Sequence, residues 1–314
     1  MDAAALGSFT PVALNLGPPA PTLDWGDLGT RPFSDPFFDA TVERWAAGPA
    51  PRLIRTDLAT LAALDSGAAR DPDALVFHMS RCGSTLVSRL LATVPEARVI
   101  VEPMPLNTLL MAEEAELGGA DRVELLRLLL RALGRSPSGP ASFYALKASS
   151  WNVAWLPLFR RAFPTTPCVF VRRAPAEVIA SILADPPAWL ALRSEPSRAA
   201  RLFALAANEL TGLDAAAFSA RALMAMLQAA ASPGEGMLVV DYRQLPDAVW
   251  LRMAPHIGLR LAESDIARMR AEARFSAKAS ERRLFADDGA TKQAAAGSVA
   301  SLAQAVEPYY RALG

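Results

Sequence analysis

The chain has 314 residues, 52% of them apolar and 20% charged, with 32 Lys+Arg against 32 Asp+Glu. That length and apolar content allow a large buried core and exclude a disordered chain. The charge balance removes the basic footprint of a dedicated nucleic-acid or anionic-membrane binder, so any anion site must be local. Two cysteines, Cys82 and Cys168, and two histidines, His78 and His256, cannot supply a disulfide framework or a multi-ligand zinc site, which fits a reducing cytoplasm.

Residues 3–23 are uncharged, but they follow no basic region and include Pro11, Pro18, Pro19 and Pro21, so a signal peptide is not expected. The weakly charged run between Arg221 and Glu235 falls short of the ~18–20 apolar residues of a spanning helix, so no membrane insertion is expected. Eight of the 25 prolines lie in the first 51 residues, among Trp25, Phe33, Phe37, Phe38 and Trp45. Proline bars a continuous helix and the aromatics need burial, so residues 1–70 are expected to form an irregular arm packed on a body of residues 71–314.

From Asp71 onward, short apolar runs alternate with helical stretches, the pattern of βα units around a parallel sheet. Strands are expected at Ala74–His78, Arg98–Val101, Ser142–Leu146, Cys168–Val171 and Met237–Val240. Helices are expected at Thr85–Thr93, Asp121–Leu133, Asn152–Ala162, Ala176–Leu183 and Ser197–Ala231, the last divisible at Gly212. Further helices follow near Gln244–His256 and Glu263–Arg274, then a polar loop over Ser276–Gln293 and a closing helix through Tyr310. No internal repeat is visible. The expected fold class is α/β, three-layer α/β/α, with a central parallel sheet.

The first strand-to-helix junction reads Phe77-His78-Met79-Ser80-Arg81-Cys82-Gly83-Ser84-Thr85-Leu86. A tight turn ending in Gly-Ser-Thr at a helix start aims free N–H groups and the positive helix end at one point, which is how anions are held. Against the pattern G-x-x-x-x-G-K-[ST], His78 replaces the first glycine and Ser84 the lysine, which disfavours an ATP or GTP hydrolase. Arg81 supplies the positive charge from within the loop instead. Taken alone, the segment suits a plain helix cap as well as a phosphate site.

In open parallel sheets ligands bind outside the carboxyl ends of the strands. There the sequence places Glu102 after Val101, Lys147 after Leu146, Arg172 and Arg173 after Val171, and Asp241 after Val240. Each alone suits a solvated strand end; together, beside the anion loop, they favour a site.

These residues resemble the PAPS-dependent sulfotransferase family, PAPS being 3′-phosphoadenosine 5′-phosphosulfate. The family's 5′-phosphosulfate loop is similar to Ser80-Arg81-Cys82-Gly83-Ser84-Thr85-Leu86. Its Arg-Asp-Pro segment, with a serine eight residues after the arginine, is similar to Arg173-Ala174-Pro175 and Ser181. Its late Val-Val-x-Tyr-Glu-x-Leu strand is echoed by Val239 to Leu245, so the resemblance spans about Asp73 to Leu245. Four departures stand out: Ser80 replaces a proline, Cys82 replaces the loop serine, Ala174 replaces an aspartate, and Ser149 stands where cytosolic members carry a histidine base.

The resemblance implies a P-loop, sulfotransferase-like fold that takes PAPS as donor, with no metal expected. It implies that Arg81, Cys82, Gly83, Ser84 and Thr85 hold the 5′-phosphosulfate and that Arg173, or alternatively Arg172, holds the 3′-phosphate with Ser181. Lys147 and Arg81 are expected to neutralise the departing bridge oxygen, and Glu102 to act as general base or else to pair with Lys147 or Arg81. The acceptor is expected to be a small molecule or glycan bearing a hydroxyl or amine, with self-association left open. Arg282, Arg283 and Lys292 match the family's basic C-terminal segment only weakly. Rival readings are a P-loop phosphotransferase with Asp241 as a magnesium ligand, a cysteine phosphatase using Cys82, and a non-catalytic nucleotide-fold binding module. The phosphatase lacks its arginine, because position 88 is Ser88.

Overall fold

The structure, a computed structural model, describes residues 6–7, 9–17, 19–29, 33, 35–64, 70–135, 141–231, 236–275 and 296–314. The expected loop at Ser276–Gln293, with Arg282, Arg283 and Lys292, lies outside the described residues.

Five strands form one parallel sheet: β4 (Ala74–His78), β5 (Ala97–Val101), β6 (Phe143–Lys147), β7 (Cys168–Arg172) and β8 (Met237–Asp241). Their order is β5-β6-β4-β7-β8. Strands β4, β6 and β7 are buried at every residue, which is why each reads as an unbroken apolar run rather than an alternation. The register pairs Val101 and Val76 with Lys147, His78 with Val171, and Arg172 with Asp241, so the expected strand-end residues arrive at one edge.

The strand order reverses at β4. Its connection runs through α3 (Ser84–Leu91) to β5 on one side, whereas those leaving β6 and β7 run to the other side, so a crevice opens at the carboxyl end of β4. With right-handed crossovers, α3 covers one face, where the helices Val249–Met253 and Glu263–Glu272 pack against it. The other face carries α5 (Arg122–Gly134), α6 (Leu156–Ala162), α7 (Pro175–Ala184), α9 (Ala215–Ala230) and the C-terminal helix Ala300–Arg311, the last packed on α7 and α9. This is the three-layer α/β/α arrangement around a parallel sheet that the alternating pattern predicts.

The expected helix Asn152–Ala162 opens as a 3₁₀ turn, Ser150–Trp155, because Pro157 lacks an N–H and belongs in the first turn of α6. The long span Ser197–Ala231 is cut twice. The helix α8 (Pro196–Phe203) ends at Ala204, whose φ is 54°, and Gly212, with φ 76°, precedes the Asp214 cap of α9. A short helix not anticipated, α4 (Met104–Met111), starts at the Pro103 cap.

The N-terminal segment is not irregular. Strands β1 (Phe9–Asn15), β2 (Thr22–Asp27) and β3 (Leu53–Asp57) form an antiparallel sheet in that order, with α1 (Phe38–Ala46) and α2 (Ala59–Leu64). The prolines are accommodated because Pro11 sits at a register shift and Pro19, Pro21, Pro49 and Pro51 lie in connections. Phe9, Leu14, Leu23 and Trp25 enter the main core, and β1 packs on α4. No helix among the described residues is long and apolar enough to cross a membrane.

Candidate functional site

Strand β4 ends in a turn whose backbone is left-handed at Ser80 (φ 66°), Arg81 (φ 48°) and Gly83 (φ 85°). Such a turn points successive N–H groups to its concave side. The N–H groups of Gly83, Ser84 and Thr85 find no backbone carbonyl among the described residues, as expected of a helix start. Gly83 caps α3 in a space that admits no side chain: a Cβ there would lie 2.8 Å from Tyr242 Cδ2.

The loop forms one wall of a cavity of about 1140 Å³ at the sheet's carboxyl edge. Arg173 and Ser181 line the same cavity. The Arg173 guanidinium donates through Nε to Glu177 Oε2 at 2.6 Å and lies 4.0 Å from the centroid of the Tyr242 ring. Arg81 Nε donates to Ser181 Oγ at 3.0 Å, and Arg81 Nη2 to Asp185 Oδ2 at 2.5 Å. The two anion-suited segments are therefore joined twice, through Gly83–Tyr242–Arg173 and through Arg81–Ser181. Arg172 turns away from the cavity, donating to the carbonyls of Tyr310 and Gly314 and stacking on the Tyr310 ring at 4.3 Å.

Beside the loop, Glu102 accepts from Lys147 Nζ. Lys147 is only 2% exposed and is not part of the cavity wall, so it reaches the cavity through Glu102 rather than facing a departing oxygen directly. Burial pushes the Glu102 carboxyl up, but the Lys147 ammonium and the His78 ring outweigh it and hold the group at about 2. Glu102 is thus ionised and paired.

His78 lies 3.6 Å from Glu102 and also lines the cavity. It accepts from the Ser80 N–H at Nδ1 (3.2 Å), so its single proton sits on Nε2, 3.1 Å from the Ala148 carbonyl. His78 thereby ties the loop after β4 to the ends of β5 and β6. Burial, and then the Lys147 charge, push its pKa down to about 4. Long-range ¹H–¹⁵N NMR at pH 5.5 is expected to show a neutral Nε2–H ring for His78, readily assigned because the chain has two histidines. A doubly protonated ring would contradict this geometry. Sequence reasoning counted His78 against a zinc site and as a missing glycine, but gave it no place in the site. Its position at the end of a buried strand, immediately before the loop, was the available signal.

Ser149 accepts from Asn107 Nδ2 at 3.0 Å, and its N–H donates to Asn152 Oδ1 at 2.8 Å. Cys82 is buried, donates to the Val171 carbonyl at 3.1 Å and has its thiol pushed up by burial to about 11, the opposite of an activated nucleophile. Asp241 accepts from the Tyr310 hydroxyl and lies outside the cavity wall, so it does not face the loop as a phosphotransferase magnesium ligand would need to.

No protein-family model matches this chain, and no curated protein matches it significantly. Among solved structures, a sulfotransferase from Mycobacterium avium aligns at 14% identity over 66% of this chain and 68% of its own, with a TM-score of 0.42. A sulfotransferase from Mycobacterium tuberculosis aligns at 15% identity over 67% and 75%, with a TM-score of 0.41. The sulfotransferase domain of the Synechococcus PCC 7002 olefin synthase aligns at 13% identity over 75% and 96%, with a TM-score of 0.40. At these identities and scores the matches carry no statement about activity.

Proposed function

We propose that the protein transfers a sulfonate from PAPS to a hydroxyl or amine of an acceptor. The observation that carries this reading is the direct linkage of two anion cradles in one cavity, a helix-start loop with unpaired N–H groups and an arginine–serine pair after β7. A nucleotide phosphorylated at both 5′ and 3′ positions needs two such cradles; ADP needs one.

The donor fits the residues present, because the loop leaves room only for a glycine at position 83 and Arg173 lies flat on Tyr242 with guanidinium edges to offer. The N–H groups of Gly83, Ser84 and Thr85, the Ser84 and Thr85 hydroxyls and Arg81 hold the 5′ end; Arg173 and Ser181 hold the 3′-phosphate. Bound there, the donor supplies a sulfonate whose bond to the phosphate bridge oxygen breaks as the acceptor oxygen bonds to sulfur, releasing 3′,5′-ADP. Arg81 faces the charge that develops on the bridge oxygen. Glu102 takes the acceptor's proton. A carboxylate this acidic serves when the proton leaves late, because a hydroxyl oxygen bonded to sulfur becomes strongly acidic. Lys147 and His78 hold Glu102 in place.

Thermal-shift measurements are expected to show stabilisation by 3′,5′-ADP well above that by ADP or AMP, with the preference lost in Arg173→Ala and in Arg81→Ala. An equal response to ADP would overturn the reading. With each forked guanidinium contact worth ~1.5–3 kcal/mol, affinity should fall by ~10–100-fold per arginine.

A further inference from the structure

The cavity extends along the carboxyl ends of the strands to both sides of the loop after β4, and its charges are segregated between the two sides. Among the described residues, three arginines line it. Arg173 and Arg243 follow β7 and β8, and Arg81 points to α7, so all three guanidinium groups lie on the β7/β8 side. The β5/β6 side is walled by Glu102, by Met104 and Asn107 of α4, by Trp151 after β6, and by Phe37 and Asp39 at the start of α1. No lining cation stands on that side among the described residues.

Asp39 is half-buried and receives the Met104 N–H at Oδ1, 3.3 Å away, which fixes the carboxylate and leaves Oδ2 without a cationic partner among the described residues. Burial, with the nearby Glu43 and Glu102 carboxylates, raises its pKa, as expected where no cation faces it. On either side of it stand Phe37, 40% exposed, and Met104, 50% exposed. These are two of the five large apolar side chains exposed among the described residues, and both border this half of the cavity.

We infer that the β5/β6 half of the cavity takes an acceptor with an apolar or aromatic body that carries a protonated amine besides its reacting hydroxyl, read by Asp39, and that it rejects anionic acceptors such as acidic glycans. This rests on the sulfotransfer reading for the meaning of the other half. Attraction to Asp39 selects the ammonium, Phe37 and Met104 cover the apolar body, and a carboxylate or sulfate on the acceptor meets the Asp39 carboxylate with no lining cation to offset it, the Lys147 ammonium behind the Phe37 ring being already paired with Glu102.

Three phenols of similar size test this by calorimetry, with and without saturating 3′,5′-ADP: 4-hydroxyphenethylamine (cationic), 4-ethylphenol (neutral) and 3-(4-hydroxyphenyl)propionate (anionic). The expected order of affinity is cationic, neutral, anionic, with at least ~10-fold between the first and last. Asp39→Asn, which keeps the oxygen that accepts from Met104, is expected to erase most of that difference while 3′,5′-ADP affinity stays within about twofold. Equal or tighter binding of the anionic phenol, an unchanged order in Asp39→Asn, or no phenol binding at all overturns the inference. Binding of 3′,5′-ADP without charge preference among the phenols sinks the acceptor inference alone. Charge preference without 3′,5′-ADP binding sinks the donor reading and upholds the acceptor half.

Discussion

Gly83→Ala is expected to abolish tight binding of 3′,5′-ADP, with a loss of at least ~100-fold, and to destabilise the fold by about 2–3 kcal/mol. Two costs combine. A φ of 85° is strained for any residue with a Cβ, and that Cβ would lie 2.8 Å from Tyr242 Cδ2 and 3.0 Å from Leu245 Cδ1. Tyr242 cannot yield cheaply, because its ring supports Arg173 at 4.0 Å. The methyl group therefore disturbs the loop amides and the 3′-phosphate arginine together. Calorimetry and denaturant unfolding measure the two effects. Binding within about threefold of wild type would show that the loop amides do not hold the nucleotide.

Lys147→Met is expected to cost about 3–5 kcal/mol at pH 7, because it leaves the Glu102 carboxylate among buried groups without its partner. The pair also sets the acid stability. Glu102 has a folded pKa of about 2 against a usual 4.5, so its stabilisation is fully present above pH 4.5 and is lost as pH falls from there toward 2. His78, held at about 4 against 6.5, binds its proton sooner in the unfolded chain, so it removes stability earlier, between pH 6.5 and 4. Urea unfolding from pH 7 to 3 should show wild type declining through both windows. In Lys147→Met the loss between pH 4.5 and 3 should vanish or reverse, and Lys147→Met/Glu102→Gln should recover much of the stability at pH 7. A single variant as stable as wild type, with the same acid slope, would exclude a structural role for the pair.

The parallel sheet was legible in the sequence because β4, β6 and β7 are buried on both faces, so each announces itself as a short apolar run closed by a polar residue. The antiparallel N-terminal sheet was not, because its prolines fall at a register shift and in connections rather than within the hydrogen-bonded ladder. A proline-rich composition does not say which backbone donors are dispensable. The helix α4 was missed for a different reason: it is short and apolar except at Asn107 and Thr108, and its exposed Met104 is as apolar as its buried leucines, so it shows little of the 3.6-residue alternation that marks a surface helix.

By itself the sequence determined that a glycine-capped helix start follows the first core strand and that charged residues stand at the strand ends, because local backbone chemistry and burial alone dictate both. Only the tertiary structure decided which way those charges turn. Neighbouring Arg172 and Arg173 diverge to the C-terminal helix and to the cavity, Lys147 is held behind Glu102, and His78 bridges three strand ends. Long side chains take their direction from partners distant in the chain, such as Tyr310, Tyr242 and Ala148, and no local pattern encodes those partners.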